Sequence, residues 1–248
     1  MIAFERYFTD ILDNKIIACE KMKRVSEMLL EQYACPGEYH FDLEYANKPI
    51  NFIENFCYVP AGKIGERIQL EVFQKARLQA LFGFIDDNNY RQYNESIVVE
   101  GRKNGKTTEV AAVELYMLVG DGEGGAEIYN VATKLDQAKK GYNAACNMRL
   151  QSPLLKKHIK KRASDLWFAP TMSFIKALAS NTSSLDSLDS HCVTIDELAA
   201  IKNRDLYDLM KQSMGARNQP LLFTITTNGF LRNGIFDENL LEKIKNQK

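Results

Sequence analysis

The sequence predicts an α/β fold, a mostly parallel sheet flanked by helices, with a helical extension in front of it. Three observations predict this. Short apolar runs alternate with helical segments from about residue 96 onward. A Gly-Lys-Thr turn at 105–107 joins one such run to a helix. The apolar run 191–196 finishes in two adjacent acids, Asp196 and Glu197. In a parallel sheet that end of a strand is where ligands bind.

The elements follow in order. Phe8, Ile11, Leu12, Ile16, Met22, Val25, Met28 and Leu29 recur at helical spacing, so residues 7–33 read as one helix. "CPGEY" breaks it. Residues 38–66 mix aromatics, prolines and glycines and read as an extended, loop-rich segment with short helices. Residues 68–84 read as an amphipathic helix ending near Gly83. "SIVVE" (96–100) is a strand, and "TTEVAAVELYMLVG" (107–120) a helix apolar on most sides, hence buried. "EIYNVA" (127–132) is a strand, 134–150 a helix, and "MSFIKALA" (172–179) another strand. "HCVTID" (191–196) is a strand, "DLYDLMKQSM" a helix, and "PLLFTITTN" (220–228) a buried strand finishing in hydroxyls. "LRNGIFDENLLEKIKNQK" reads as a charged helix. The division expected is an N-terminal segment, 1–65, packing on a core of 66–248.

Composition narrows the function. The chain has 248 residues, 45% of them hydrophobic, enough for a sizeable core. Basic and acidic residues number 32 each, which argues against a surface coated in positive charge for nucleic acid but leaves room for a local strip. Cysteines stand at 19, 35, 57, 146 and 192. The odd count and the lack of C-x-x-C suggest neither a disulfide framework nor a zinc site, and a reducing, intracellular setting fits. The N-terminus lacks the apolar run of a signal peptide, and no run is long enough to span a bilayer.

The candidate chemistry begins at "EGRKNGKTTE" (100–109). The phosphate-loop pattern G-x-x-x-x-G-K-[ST] wants glycine where Glu100 stands. Even so, a turn that opens a helix offers free N–H groups and a partial positive charge to an anion. There Lys106 would neutralise phosphate oxygens and the Thr107 hydroxyl would coordinate Mg²⁺. The plain alternative is a basic turn. Of the acids Asp196 and Glu197, one can hold Mg²⁺ through water and the other polarise an attacking water. An acid-rich helix start explains them as well. Thr226, Thr227 and Asn228 end a strand, placed to sense a γ-phosphate or merely to enter an Asn-Gly turn. Gln74 can read adenine, since an amide donates and accepts, or it is a surface glutamine. "LLKKHIKKR" (154–162) would touch DNA phosphates or be a solvated helix face.

Taken together, "FQKARLQALFG", "VEGRKNGKTT", "NVATKLDQAKKGY", "HCVTIDELAA" and "GARNQPLLFTITTNG" resemble, in order, the N-terminal ATPase domain of the large terminase subunit of tailed bacteriophages. The resemblance runs from about residue 40 to the end. It implies a P-loop ATPase of the additional-strand, catalytic-glutamate type. The family's shortened loop, [SG]-R-x-x-G-K-[ST], accounts for Glu100. Gly101, Arg102, Lys103, Asn104, Gly105, Lys106, Thr107 and Thr108 then bind nucleotide, and Arg102 matches the loop arginine. The resemblance further implies that Thr107 and Asp196 hold Mg²⁺ and Glu197 activates water. Gln74 would read adenine, Thr226, Thr227 and Asn228 would couple hydrolysis to movement, and Arg217 would reach a neighbour's nucleotide.

The family resembled is an ATP-driven motor, a ring taken as a pentamer, that drives double-stranded DNA through a portal protein into a procapsid. The terminase small subunit is a further partner, the setting is the host cytoplasm, and no membrane is involved. That family continues into an RNase H-like nuclease domain, which the present residues do not match, so no nuclease activity is expected of them. Two other readings share some motifs: a helicase-like translocase, and an assembly protein that binds nucleotide without turning it over.

Overall fold

A computed structural model describes residues 1–179, 187–198 and 204–227. The chain divides into two compact units. One comprises residues 1–54 and 69–94, the other 55–68 and 95–248.

The first unit is helical. Helix α1 (Ala3–Leu12) and α2 (Glu20–Ala34) replace the single helix expected over 7–33. The break is local: Asn14 sits at φ 58°, a left-handed conformation that Asn tolerates, and Ile17 is fully exposed. Strand β1 (His40–Phe41) is followed by α3 (Leu43–Phe56), a 14-residue helix where an extended, loop-rich segment with short helices is expected. Asp42 caps it by accepting from the Tyr45 N–H at 2.9 Å. Pro49 lies inside the helix and is buried, so packing outweighs its helix-breaking tendency. Helix α4 (Val72–Gly83) leads into β2 (Phe84–Ile85), which pairs antiparallel with β1. An aromatic cluster of Phe4, Phe8, Phe41 and Phe84 forms the core. Gln79 stitches it, accepting from the Phe4 N–H at 2.7 Å and donating to Asn47 at 2.9 Å.

The second unit is built on a sheet. Its elements are β3 (Glu95–Val99), α5 (Lys106–Val119), β4 (Glu127–Ala132), α6 (Leu135–Gln151), α7 (Pro153–His158), β5 (Ile159–Lys161), β6 (Asp165–Phe168), β7 (Ser173–Ala179), β8 (Ser190–Asp196), α8 (Asp205–Gln212) and β9 (Leu221–Thr226). The seven strands run β3-β9-β8-β4-β7-β6-β5. Pairings from β3 through β7 are parallel, and those of β6 and β5 antiparallel. The sheet is therefore mostly parallel, as the alternating pattern predicts.

Of the run 154–162, expected either to touch DNA phosphates or to be a solvated helix face, the first part lies in helix α7 and the rest enters the β5–β6 hairpin. Ile159 is buried and starts an edge strand, while Arg162 clasps Asp165 with two bonds of 2.6 and 2.8 Å and lies over Trp167. Part of the basic run thus has intramolecular work. Alternation sorts the strands into two faces. One face, with Tyr129, Val131, Val193, Ile195 and Leu222, packs on α8 through Leu206, Tyr207 and Met210. The other carries Asn130, Thr194 and Asp196 and receives α5 and α6.

Candidate nucleotide site

Parallel register brings three strand ends level. Val99 pairs with Thr226, and Asp196 with Ile225. The Glu100 N–H donates to the Thr226 carbonyl at 3.1 Å, so the last hydroxyl strand hands directly into the loop. Residues 101–105 are exposed and connect β3 to α5. Gly105 is the N-cap at φ 80°, where an L side chain would be strained. Lys103 adopts φ 68° without being glycine, a local strain of the kind found in binding loops. The Lys106 ammonium folds back across the loop, donating to the carbonyls of Glu100 (2.9 Å) and Gly101 (2.6 Å). Donors thereby gather at the start of α5, where the helix dipole favours an anion.

At the start of α5, Thr107 lines one small pocket together with Asp196, Val110, Asn130, Gly141, Thr194, Ile195 and Ile225. Burial pushes the Asp196 carboxyl above its ordinary range, as does the charge of Glu197. The Glu197 backbone N–H and the charges of Lys140 and Lys106 pull it back. Lys106, ninety positions from Asp196 in sequence, is thus one of the charges that act on its carboxyl. Glu197 stands at φ 59°, a strained conformation for a non-glycine residue. Its N–H is tied to the Ile225 carbonyl at 2.9 Å, and its exposed carboxylate accepts from Gln137 Nε2 at 3.2 Å. Among the described residues no three His, Cys, Asp or Glu side chains converge as a metal cage. One hydroxyl and one carboxylate is a donor set that suits Mg²⁺ when phosphate oxygens and water complete the shell.

Gln74 belongs to the first unit, where it is buried and accepts from the Glu71 N–H at 3.0 Å at the start of α4. Thr226 is buried at the end of β9, its hydroxyl donating to the Thr227 carbonyl at 2.9 Å. Asn228 and the charged helix expected after it lie outside the described residues. Arg217 is not brought to the loop. It precedes β9 and meets the residues that precede β4 and β8, at the amino end of the sheet. Its guanidinium binds Glu123 (2.8 Å), the carbonyls of Gly124 and Gly125 (3.0 and 2.9 Å) and Asp189 (3.0 Å to Oδ1). Within the single chain all five guanidinium donors meet partners of that chain, the fifth being the Asp189 carbonyl at 3.2 Å.

Sequence reasoning passed over Gln137 and Lys140. The signal was present in "NVATKLDQAKKGY": polar residues one helical turn apart, just after a buried strand, place two side chains beside the acids.

A sequence model of the family "Terminase large subunit, ATPase domain" matches residues 72–246. The chain belongs to this family. The large subunit of the terminase of Enterobacteria phage HK97 is 32% identical over 184 residues, which is 72% of this chain and 36% of that protein. The terminase chain described here therefore spans about a third of the length of that relative. The crystal structure of the HK97 bacteriophage large terminase superposes with a TM-score of 0.71 at 27% identity, over 82% of this terminase chain and 42% of the other. A mutant of the Thermus phage P74-26 large terminase ATPase domain superposes with a TM-score of 0.52 at 14% identity, over 70% and 72% of the two chains, a likeness of fold. Among the described residues of this terminase domain, no helix is long and apolar enough to cross a membrane.

Proposed function

We propose that this terminase domain hydrolyses ATP to drive double-stranded DNA into a procapsid. The observation that carries the reading is the convergence of Lys106, Thr107 and Asp196 at the carboxyl ends of β3, β9 and β8. In this reading the N–H groups of 101–108 and the Lys106 ammonium bind the phosphates, exchanging the lysine's loop carbonyls for phosphate oxygens. Arg102, exposed in the same loop, adds charge at the γ-phosphate. Thr107 and Asp196 hold Mg²⁺, which when bound draws charge from the phosphates. Glu197 takes a proton from the attacking water. Thr226, Thr227 and Asn228 report the γ-phosphate to the rest of the motor.

The partners proposed with it are DNA, the portal, the terminase small subunit, a nuclease domain and further copies in a ring. The division of labour is 1–65 as an accessory segment and 66–248 as the motor core. The distinguishing experiment is Glu197→Gln. Turnover should fall about 10²-fold or more, since general-base catalysis contributes that much, while ATP binding measured by calorimetry persists. Equal turnover in both proteins would refute the motor and favour a chain that only binds nucleotide.

A further inference from the structure

Helix α5 runs from the loop into the core, and Glu114 lies on it two helical turns beyond Thr107, on the same face. Glu114 has no solvent exposure. An acid in the apolar run "VAAVELYML" is costly to bury unless it is bonded, and this one is bonded on both oxygens. Asn130 Nδ2 donates to them at 2.6 and 2.7 Å, and the Thr194 hydroxyl donates to Oε1. Asn130 and Thr194 are register partners on β4 and β8. Asn130 also packs on Gly141 of α6, with no space there for a Cβ.

Thr194 and Asp196 alternate onto one face of β8. Helix and strand therefore meet at two levels. At the rim Thr107 and Asp196 line the pocket, and a level deeper Glu114 grips Thr194, with Val110 between. The apolar contacts around it fix distance but not registration along the helix axis, whereas a hydrogen bond is directional and does. A helix slid by one residue would move Thr107 by about 1.5 Å.

We propose that Glu114 is a positioning residue of the nucleotide site: by bonding α5 to β8 and β4 it sets the spacing between the Thr107 hydroxyl and the Asp196 carboxylate, and so their capacity to share a divalent cation. The proposal rests on the nucleotide reading above. Glu114 touches neither phosphate nor metal and acts through the elements it joins.

The test uses the 248-residue chain and a fluorescent, non-hydrolysable ATP analogue, titrated in EDTA and again in excess Mg²⁺. The readout is the gain in affinity that Mg²⁺ confers, which a general loss of stability does not change. Glu114→Ala should cut this gain about 10-fold, a misplaced ligand's cost. Val113→Ala, a buried neighbour on the same helix, should lower the melting temperature yet keep the gain. Glu114→Gln, which keeps one carbonyl acceptor, should fold and lose about 3-fold, and it carries the test if the alanine variant does not fold. An unchanged gain in the glutamine variant, or an equal loss in Val113→Ala, overturns the proposal. Failure of the wild type to bind the analogue at all would instead sink the nucleotide reading. If Lys106→Ala abolishes binding while the Glu114 variants keep the full gain, this inference alone falls.

Discussion

Gly105 and Lys106 make the loop's two demands separable. Gly105 supplies a left-handed turn that lets the next residue start a helix. Lys106 supplies a single mobile charge, held by two carbonyls at 2.9 and 2.6 Å. Those carbonyls are neutral partners, so exchanging them for phosphate oxygens converts ordinary hydrogen bonds into charge-assisted ones, roughly twice as strong. Lys106→Ala removes that gain without touching the core, because the side chain lies in the loop. ATP affinity should drop about 10-fold or more, equivalent to ~1.4 kcal/mol, with the melting temperature unchanged. Calorimetric titration checks the first and a thermal melt the second. Unaltered affinity would remove Lys106 from the site. The strand–turn–helix geometry of the loop was legible in the sequence, since Gly-Lys-Thr sits between an apolar run and a helical one. The partnership of Gln137 with Glu197 was not, because a turn-start glutamine has no local mark that says which strand end it faces.

Among the elements, α5 carries the most consequential buried group. Burial pushes the Glu114 carboxyl from its ordinary 4.5 up to about 8, against the pull of its bonds from Thr194 and Asn130. The Cys146 thiol on α6, itself raised by burial, is the titratable neighbour that senses it. A carboxyl whose folded value is raised contributes its full stability below about pH 4.5 and loses it progressively as pH rises through about 8. Glu114→Gln cannot ionise. Its melting temperature relative to the wild type should therefore climb between pH 5 and pH 8 and level off beyond, and a flat difference would show that the carboxyl does not titrate there. Arg217 argues at the same scale. Its network joins the residues leading into β4, β8 and β9, and its side chain is only 11% exposed. Arg217→Ala should cost about 2 kcal/mol, the worth of partly buried charged bonds discounted for the exposed Asp189 partner, read as a shift in denaturant midpoint. The elements most plainly written in the sequence were those with buried, uniform strands, such as β8 and β9. The break at 13–19 and the β5–β6 hairpin were not. Asn14 and Ile159 obey a tertiary context that a periodicity cannot contain, and in α3 packing overrides the local veto of Pro49.

For the whole molecule, the open question is what a ring would add to a site that already gathers a lysine, a hydroxyl and two acids in one chain. If neighbouring copies complete it, turnover per chain must rise with protein concentration and with agents that favour assembly, because the missing group arrives by association. The sequence resemblance nominates Arg217 for that group, whereas its contacts bind it to Glu123, Asp189 and two carbonyls of its own chain. The two assignments differ in one measurable respect. A residue offered to a neighbour controls the concentration-dependent part of turnover and leaves the melting temperature alone. A residue that joins strand ends lowers the melting temperature and leaves the shape of the concentration curve intact. We expect Arg217→Ala to do the second: stability falls, and specific activity still rises with concentration at temperatures where the variant is folded. Loss of the concentration-dependent rise with unchanged stability would return Arg217 to the neighbour's site and require its network to open on assembly.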